Sequence, residues 1–285
     1  MRQSIRLAMI SFCFLFLSLT SIYAQTFAVV NQEVYQGDVV VVRINPQWQG
    51  PMICISALGK QYVPNKNGYV LIGVGVDVKP SKYPVLRVEC GRGVRLDQGS
   101  EYFKVLSKNF IKTRVAGKGR SNQKRKGSEK NAIDKAFSVA NRSVYDLTGG
   151  INYADPLADR NIIDSFGLIY SNNKSLGYFG VDLGVPVGTP VTATNIGKVV
   201  LVARSFVREG NMVILNHGLG IFSVYMHLSR IDVDEGDAVV RSQIIGLSGE
   251  TGAGVREPHL HFNIKIQNVY VDPLGFIDTV NKYLQ

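Results

Sequence analysis

Only four histidines occur in the 285-residue chain, and two of them stand in Glu257-Pro258-His259-Leu260-His261-Phe262. In a β-strand, whose side chains alternate between faces, His259 and His261 project from one side and can reach one metal ion or one substrate. Leu260 and Phe262 then point the opposite way, the pattern of a half-buried strand. An isolated strand histidine is most often just hydrogen-bonded or exposed, so the pair needs partners elsewhere before it signifies chemistry. The other two lie in Asn216-His217-Gly218 and Tyr225-Met226-His227-Leu228.

Length and composition limit what can position these groups. With 45% hydrophobic residues, the chain can bury substantial cores, and two domains are expected. Arg2 and Arg6 precede an apolar run from Leu7 to Leu19 and then Ser21-Ile22-Tyr23-Ala24, the pattern of a secretory signal cleaved after Ala24. The run is short for a membrane span, and an uncleaved N-terminal anchor is the alternative. Cys13 leaves with the signal; Cys54 and Cys90 remain, as a disulfide of an exported protein or as two buried thiols. The net charge of +10 suits nucleic acid until it is located. From Lys112 to Lys130 eight Lys or Arg meet only Glu129, a local +7, and the signal holds a further +2. The folded parts are nearly neutral, which argues against a nucleic-acid partner. The strip reads as a contact for anionic envelope polymers or lipid headgroups, or as a solvated spacer.

Between residues 26 and 107 short strand-like runs recur: Phe27–Val30, Val39–Ile44, Met52–Ala57, Tyr69–Val76, Pro84–Val88 and Glu101–Val105. Turn clusters such as Asn65-Lys66-Asn67-Gly68 separate them, which predicts an antiparallel β-sandwich of immunoglobulin-like type. This part has no histidine, and Trp48 reads as a loop or edge residue. Residues 108–159 read as a basic linker with one helix over Ser128–Tyr145, Ser128 serving as N-cap and Ile133, Ala136, Phe137, Ala140 and Val144 at helical spacing. From residue 160 to 285 strands and Gly-rich turns predict a compact second β domain, so the chain as a whole is all-β.

In that second part, Gly180-Val181-Asp182, Gly188-Thr189-Pro190-Val191, Asn216-His217-Gly218, Tyr225-Met226-His227-Leu228, Gly236-Asp237-Ala238-Val239, Gln243-Ile244-Ile245-Gly246, Thr251-Gly252, Pro258-His259-Leu260-His261-Phe262 and Val271-Asp272-Pro273 follow one another as in a known family. Residues 160–278 resemble the lysostaphin-like (LytM-type) zinc metallopeptidases, metallopeptidase family 23. The resemblance implies an antiparallel β-core of duplicated hybrid motif with a groove, acting on peptidoglycan cross-links. It places the family's Asp and last His ligands on Asp182 and His261, and its two non-ligand catalytic histidines on His227 and His259. His217 matches a structural position. A catalytic zinc needs three protein ligands and an open position, and it lowers the pKa of its water to ~7 beside a positioned base.

One position departs from the family. Its first ligand is a histidine four residues before the aspartate, where this chain has Tyr178, and a phenol of pKa ~10 is a poor zinc ligand unless the metal ionises it. Three readings follow. The centre is an active endopeptidase site completed by Tyr178, or a non-standard, inactive site on an exported cell-wall protein of the periplasm or envelope. In the inactive case the groove binds peptidoglycan peptides or activates a partner murein hydrolase. A lipoyl-type carrier is the third reading, but Lys198 stands on a strand and not at a hairpin tip.

Overall fold

The computed structural model describes residues 27–44, 53–96, 101–113, 124–140, 152–167, 169–170 and 179–284. The signal segment 1–24, Trp48, Tyr178 and residues 141–145 of the expected helix lie outside them. Among the described residues no helix is long and apolar enough to cross a membrane.

The chain begins with β1 (Phe27–Val29), β2 (Glu33–Tyr35), β3 (Val39–Ile44), β4 (Ile53–Ala57), β5 (Lys60–Tyr62), β6 (Tyr69–Gly73), β7 (Ser81–Glu89) and β8 (Glu101–Leu106). They form a three-stranded sheet, β1-β3-β6, and a five-stranded one, β2-β8-β7-β4-β5. The anticipated runs are all present as strands, and the three-residue β2 and β5, too short to show a period of two, are additions. β2 pairs with β8 in parallel, a departure from a purely antiparallel arrangement. Val39 to Val42 of β3 are all buried, because both faces of this strand are covered. Cys54 of β4 is disulfide-bonded to Cys90, just past the end of β7.

After β9 (Lys112–Thr113) and α1 (Gly127–Ala140) come β10 (Ile162–Asp164), β11 (Ile169–Tyr170), β12 (Val181–Gly184), β13 (Pro190–Thr192), β14 (Gly197–Phe206), β15 (Gly210–Asn216), β16 (Ile221–Leu228), β17 (Arg230–Ile231), β18 (Ala238–Val239), β19 (Ile244–Leu247), β20 (His259–Ile266), β21 (Val269–Val271) and α2 (Pro273–Tyr283). The main sheet runs β10-β12-β20-β16-β15-β14-β18, with β21 added to β20, and β13-β19-β17 make a smaller sheet.

Helix α1 starts differently from the expectation of a Ser128 cap. Lys130 N–H donates to Lys126 O, and the Glu129 carboxylate accepts from Lys126 N–H (2.9 Å). This is the reciprocal half of a capping box, with Glu129 as the residue three positions into the helix. Its other oxygen accepts from Val207 N–H (3.1 Å), tying the helix to the β14–β15 hairpin. Ile133, Ala136 and Phe137 pack on Leu201, Met212, Ile214, Phe222 and Val224 of the main sheet. The stretch expected as a spacer is therefore partly docked.

Helix α2 was not anticipated and adds a second helix to the one expected in the connecting segment. Asp272 caps it, accepting from Gly275 N–H (3.2 Å), and Pro273 opens it, a favoured start because proline lacks the N–H that would go unpaired there. Phe276, Ile277 and Val280 are buried beneath it. The N-terminal sheets join the main sheet directly. Val40 and Ile72 share one apolar cluster with Ile266, Val271 and Leu274. Asp272 N–H donates to Gly37 O (2.8 Å), Lys60 Nζ to Gln267 O (2.7 Å) and Gln267 Nε2 to Gln61 O (2.9 Å).

Candidate functional site

The β12–β20 register sets Asp182 opposite His261 and Gly184 opposite His259. Alternation therefore puts Asp182, His259 and His261 on one face of the main sheet, the face on which Lys265 meets Phe137 of α1 (Nζ 3.7 Å from the ring centroid). His261 Nδ1 lies 2.7 Å from Asp182 Oδ1, and His259 Nε2 lies 3.4 Å from Asp182 Oδ2. All three residues are buried, at 6% to 9% exposure. A buried carboxylate needs polar company, and the two imidazoles stand at its two oxygens.

Gly180, two residues before Asp182, allows this approach. A Cβ there would overlap the Asn263 amide and come 2.7 Å from His261 Nε2. With its amide turned to donate, Asn263 gives hydrogen bonds to His261 Nε2 (2.7 Å) and Phe179 O (3.1 Å), so the imidazole is held at both nitrogens.

His227 reaches the same face by a different device. On β16, Phe222, Val224 and Met226 pair with Lys265, Asn263 and His261 of β20. Simple alternation would turn His227 away with Tyr225. The β15–β16 register shifts between Asn211 and Val213, and His227 takes φ +66°, so a bulge turns its ring back. The ring centroid then lies 4.9 Å from that of His259 and 6.0 Å from that of His261.

Backbone carbonyls set the tautomers. His227 Nδ1 donates to Thr251 O (2.8 Å) and His259 Nδ1 to Glu257 O (2.7 Å), leaving Nε2 of each ring as the atom that takes or gives a proton. Burial and the neighbouring imidazoles push the His227 pKa down to about 3, against the opposing pull of the Thr251 carbonyl and Asp182. His227 is thus neutral at pH 7 and suited to accept a proton or hydrogen bond.

Sequence reasoning gave Thr251 no role, yet it is the brace. Its Oγ1 accepts from Asn211 N–H (2.9 Å) and donates to Leu228 O (2.9 Å), which fixes the carbonyl that holds His227. Asn263 was also missed. Its place in strand alternation, two residues after His261, was the available signal.

His217 lies apart from this group and is fully buried. Nδ1 is 2.7 Å from Ile196 O and Nε2 is 2.8 Å from Ser223 Oγ, which is 3.0 Å from Tyr225 Oη. Tyr225 in turn accepts from Thr194 N–H (2.8 Å). Such a satisfied chain holds strands together and presents nothing to a ligand.

The metal question turns on donor count. Asp182 Oδ1 and His261 Nδ1 face one another, but among the described residues no group of three His, Cys, Asp or Glu side chains is arranged to hold a metal. A zinc centre needs a third protein donor, so these residues alone do not fit one. Position 178, where the family carries its first ligand, is outside the described residues.

The family described as Peptidase family M23 matches residues 177–273. The chain is 43% identical over 88 residues to Peptidoglycan DD-endopeptidase ShyA of Vibrio cholerae, covering 31% of this chain and 20% of that protein. It is 39% identical over 105 residues to lysostaphin of Staphylococcus simulans, covering 35% of this chain and 21% of that protein. A crystal structure from Pseudomonas aeruginosa assigned to peptidase M23 has a TM-score of 0.61 at 26% identity, over 85% of this chain and 94% of that one. The match spans between 20% and 26% of the length of the first curated relatives. Residues 177–273 thus carry a match to Peptidase family M23, and over this stretch the chain is similar to lysostaphin and to a peptidoglycan endopeptidase.

Proposed function

We propose that this is an exported cell-envelope protein, its signal cleaved after Ala24, that engages peptidoglycan peptides along the histidine face, where Tyr178 leaves the zinc site of the family non-standard and inactive. The N-terminal sheets are read as an immunoglobulin-like domain packed against the β-core that carries the site. The observation that supports this reading is the convergence of Asp182, His227, His259 and His261 without a third described metal donor. In this reading Asp182 and His261 are the metal-facing pair, and His227 and His259 are the groups that hold or move a proton at Nε2. With the third donor position occupied by Tyr178, peptide binding and activation of a partner murein hydrolase are preferred over ordinary turnover.

An active endopeptidase completed by Tyr178 is the second reading, favoured by the retention of Asp182, His227, His259 and His261 close together on one face. Metal analysis and muropeptide release separate the two. Under the first, purified mature chain holds well below one zinc and releases no muropeptides, and Tyr178→His creates a tight site. If the wild-type chain already holds zinc stoichiometrically and Tyr178→Phe removes it, the first reading is wrong.

A further inference from the structure

Arg125, in the basic strip, donates to Glu209 through Nε (3.0 Å) and Nη2, both to the same oxygen, Oε1. The second oxygen, Oε2, is buried and has no hydrogen-bond partner among the described residues. A guanidinium fork matches both oxygens of a carboxylate when the pair is free to optimise its geometry, so a buried acceptor left over is unused capacity. The Glu209 side chain is 4% exposed and that of Arg125 is 32% exposed, which places the guanidinium between the carboxylate and solvent.

The pair borders the histidine face. Glu209 is at the tip of the β14–β15 hairpin, and its carbonyl accepts from His227 N–H (3.1 Å). The phenol of Tyr270, whose ring stacks on Phe179 with centroids 5.2 Å apart, lies within electrostatic reach of both charges. Glu129 holds α1 to Val207 in the same hairpin, and Phe137 packs α1 on the sheet, so Arg125 can leave Glu209 without freeing the helix.

We propose that Glu209 forms a receptor for a protonated amine or guanidinium of a peptide bound along the histidine face, and that Arg125 fills it from within the chain. An ammonium carries three N–H donors and can satisfy both carboxylate oxygens. The ligand class rests on the peptide-binding reading above, whereas the receptor itself requires no metal.

The test uses the full mature chain. Arg125→Ala is expected to melt below wild type, and methylguanidinium chloride to raise its melting temperature by about 3 °C or more relative to tetramethylammonium chloride at equal ionic strength. Arg125→Ala/Glu209→Gln should show no such difference. The amide of Ala-Lys-Ala should bind Arg125→Ala about tenfold tighter than wild type, a gain lost on Nε-acetylation or with Glu209→Gln. If Arg125→Ala does not fold, Arg125→Gln carries the same comparison. Equal responses in the single and double variants, or to both salts, would overturn the proposal and leave a structural ion pair. Zinc content and muropeptide release report on the peptidase reading and play no part in this comparison.

Discussion

Nδ1 of His261 lies 2.7 Å from Oδ1 of Asp182 across the β12–β20 pair. The two atoms are the ones a cation would have to share, so the carboxylate's charge and its acceptor geometry can be separated by mutation. Asp182→Asn keeps an acceptor for the imidazole and should stay within ~1 kcal/mol of wild type, while Asp182→Ala orphans a buried donor and should cost ~1–3 kcal/mol. Zinc affinity, measured by competition with a chelating dye, should fall in both. Wild-type zinc affinity in Asp182→Asn would remove Asp182 from any cation centre.

Thr251 secures His227 through its own hydroxyl, which bonds Asn211 N–H and Leu228 O. Thr251→Val retains the volume and loses both bonds, so a destabilisation of ~1–2 kcal/mol is expected. The His227 Nδ1–H resonance should exchange faster in Thr251→Val and recover in Thr251→Ser. Unchanged exchange in the valine variant would show that the loop holds the carbonyl without the hydroxyl.

His217 couples stability to acidity. Burial lowers its pKa from 6.5 to about 4, with the Ile196 carbonyl opposing. The unfolded chain therefore binds the proton first, and stability present above pH 6.5 drains away as pH falls toward 4, by about 3 kcal/mol in all. Urea unfolding at pH 7.5 and 4.5 measures this, and His217→Gln should flatten the difference while lowering stability at the higher pH. An equal pH difference in wild type and variant would assign the effect to other groups.

The Cys54–Cys90 disulfide spans a sequence separation of 36. On chain entropy a loop of this length contributes about 4 kcal/mol. Reduction, or Cys54→Ala/Cys90→Ala, should lower the denaturant midpoint accordingly. No shift on treatment with reductant would mean that the bond is absent in solution.

The strands of both halves were legible wherever apolar residues alternate or run together, and His259 and His261 could be set on one face from the period of two alone. His227 could not. Its direction depends on one extra residue in β16 and a left-handed backbone angle, and nothing in Tyr225-Met226-His227-Leu228 announces a bulge. Asp272-Pro273 carried a helix start that was read only as part of a motif, which is why α2 went unseen. Arg125 reads from sequence as one more cation in a basic strip, because its partner Glu209 is 84 positions away. Cys54 and Cys90 left two chemistries open, since pairing depends on the three-dimensional meeting of β4 with the end of β7.

The apolar cluster that runs from Val40 and Ile72 into Ile266 and Val271 has a thermodynamic meaning. β20 carries His259 and His261 at one end and Ile266 at the other, so the strand that presents the imidazoles is also a wall of the joint core. Free energy lost among the N-terminal strands is then communicated to the histidine face as a change in how often that strand opens locally. With one apolar cluster shared between them, the two parts of the chain are expected to unfold together as one cooperative unit.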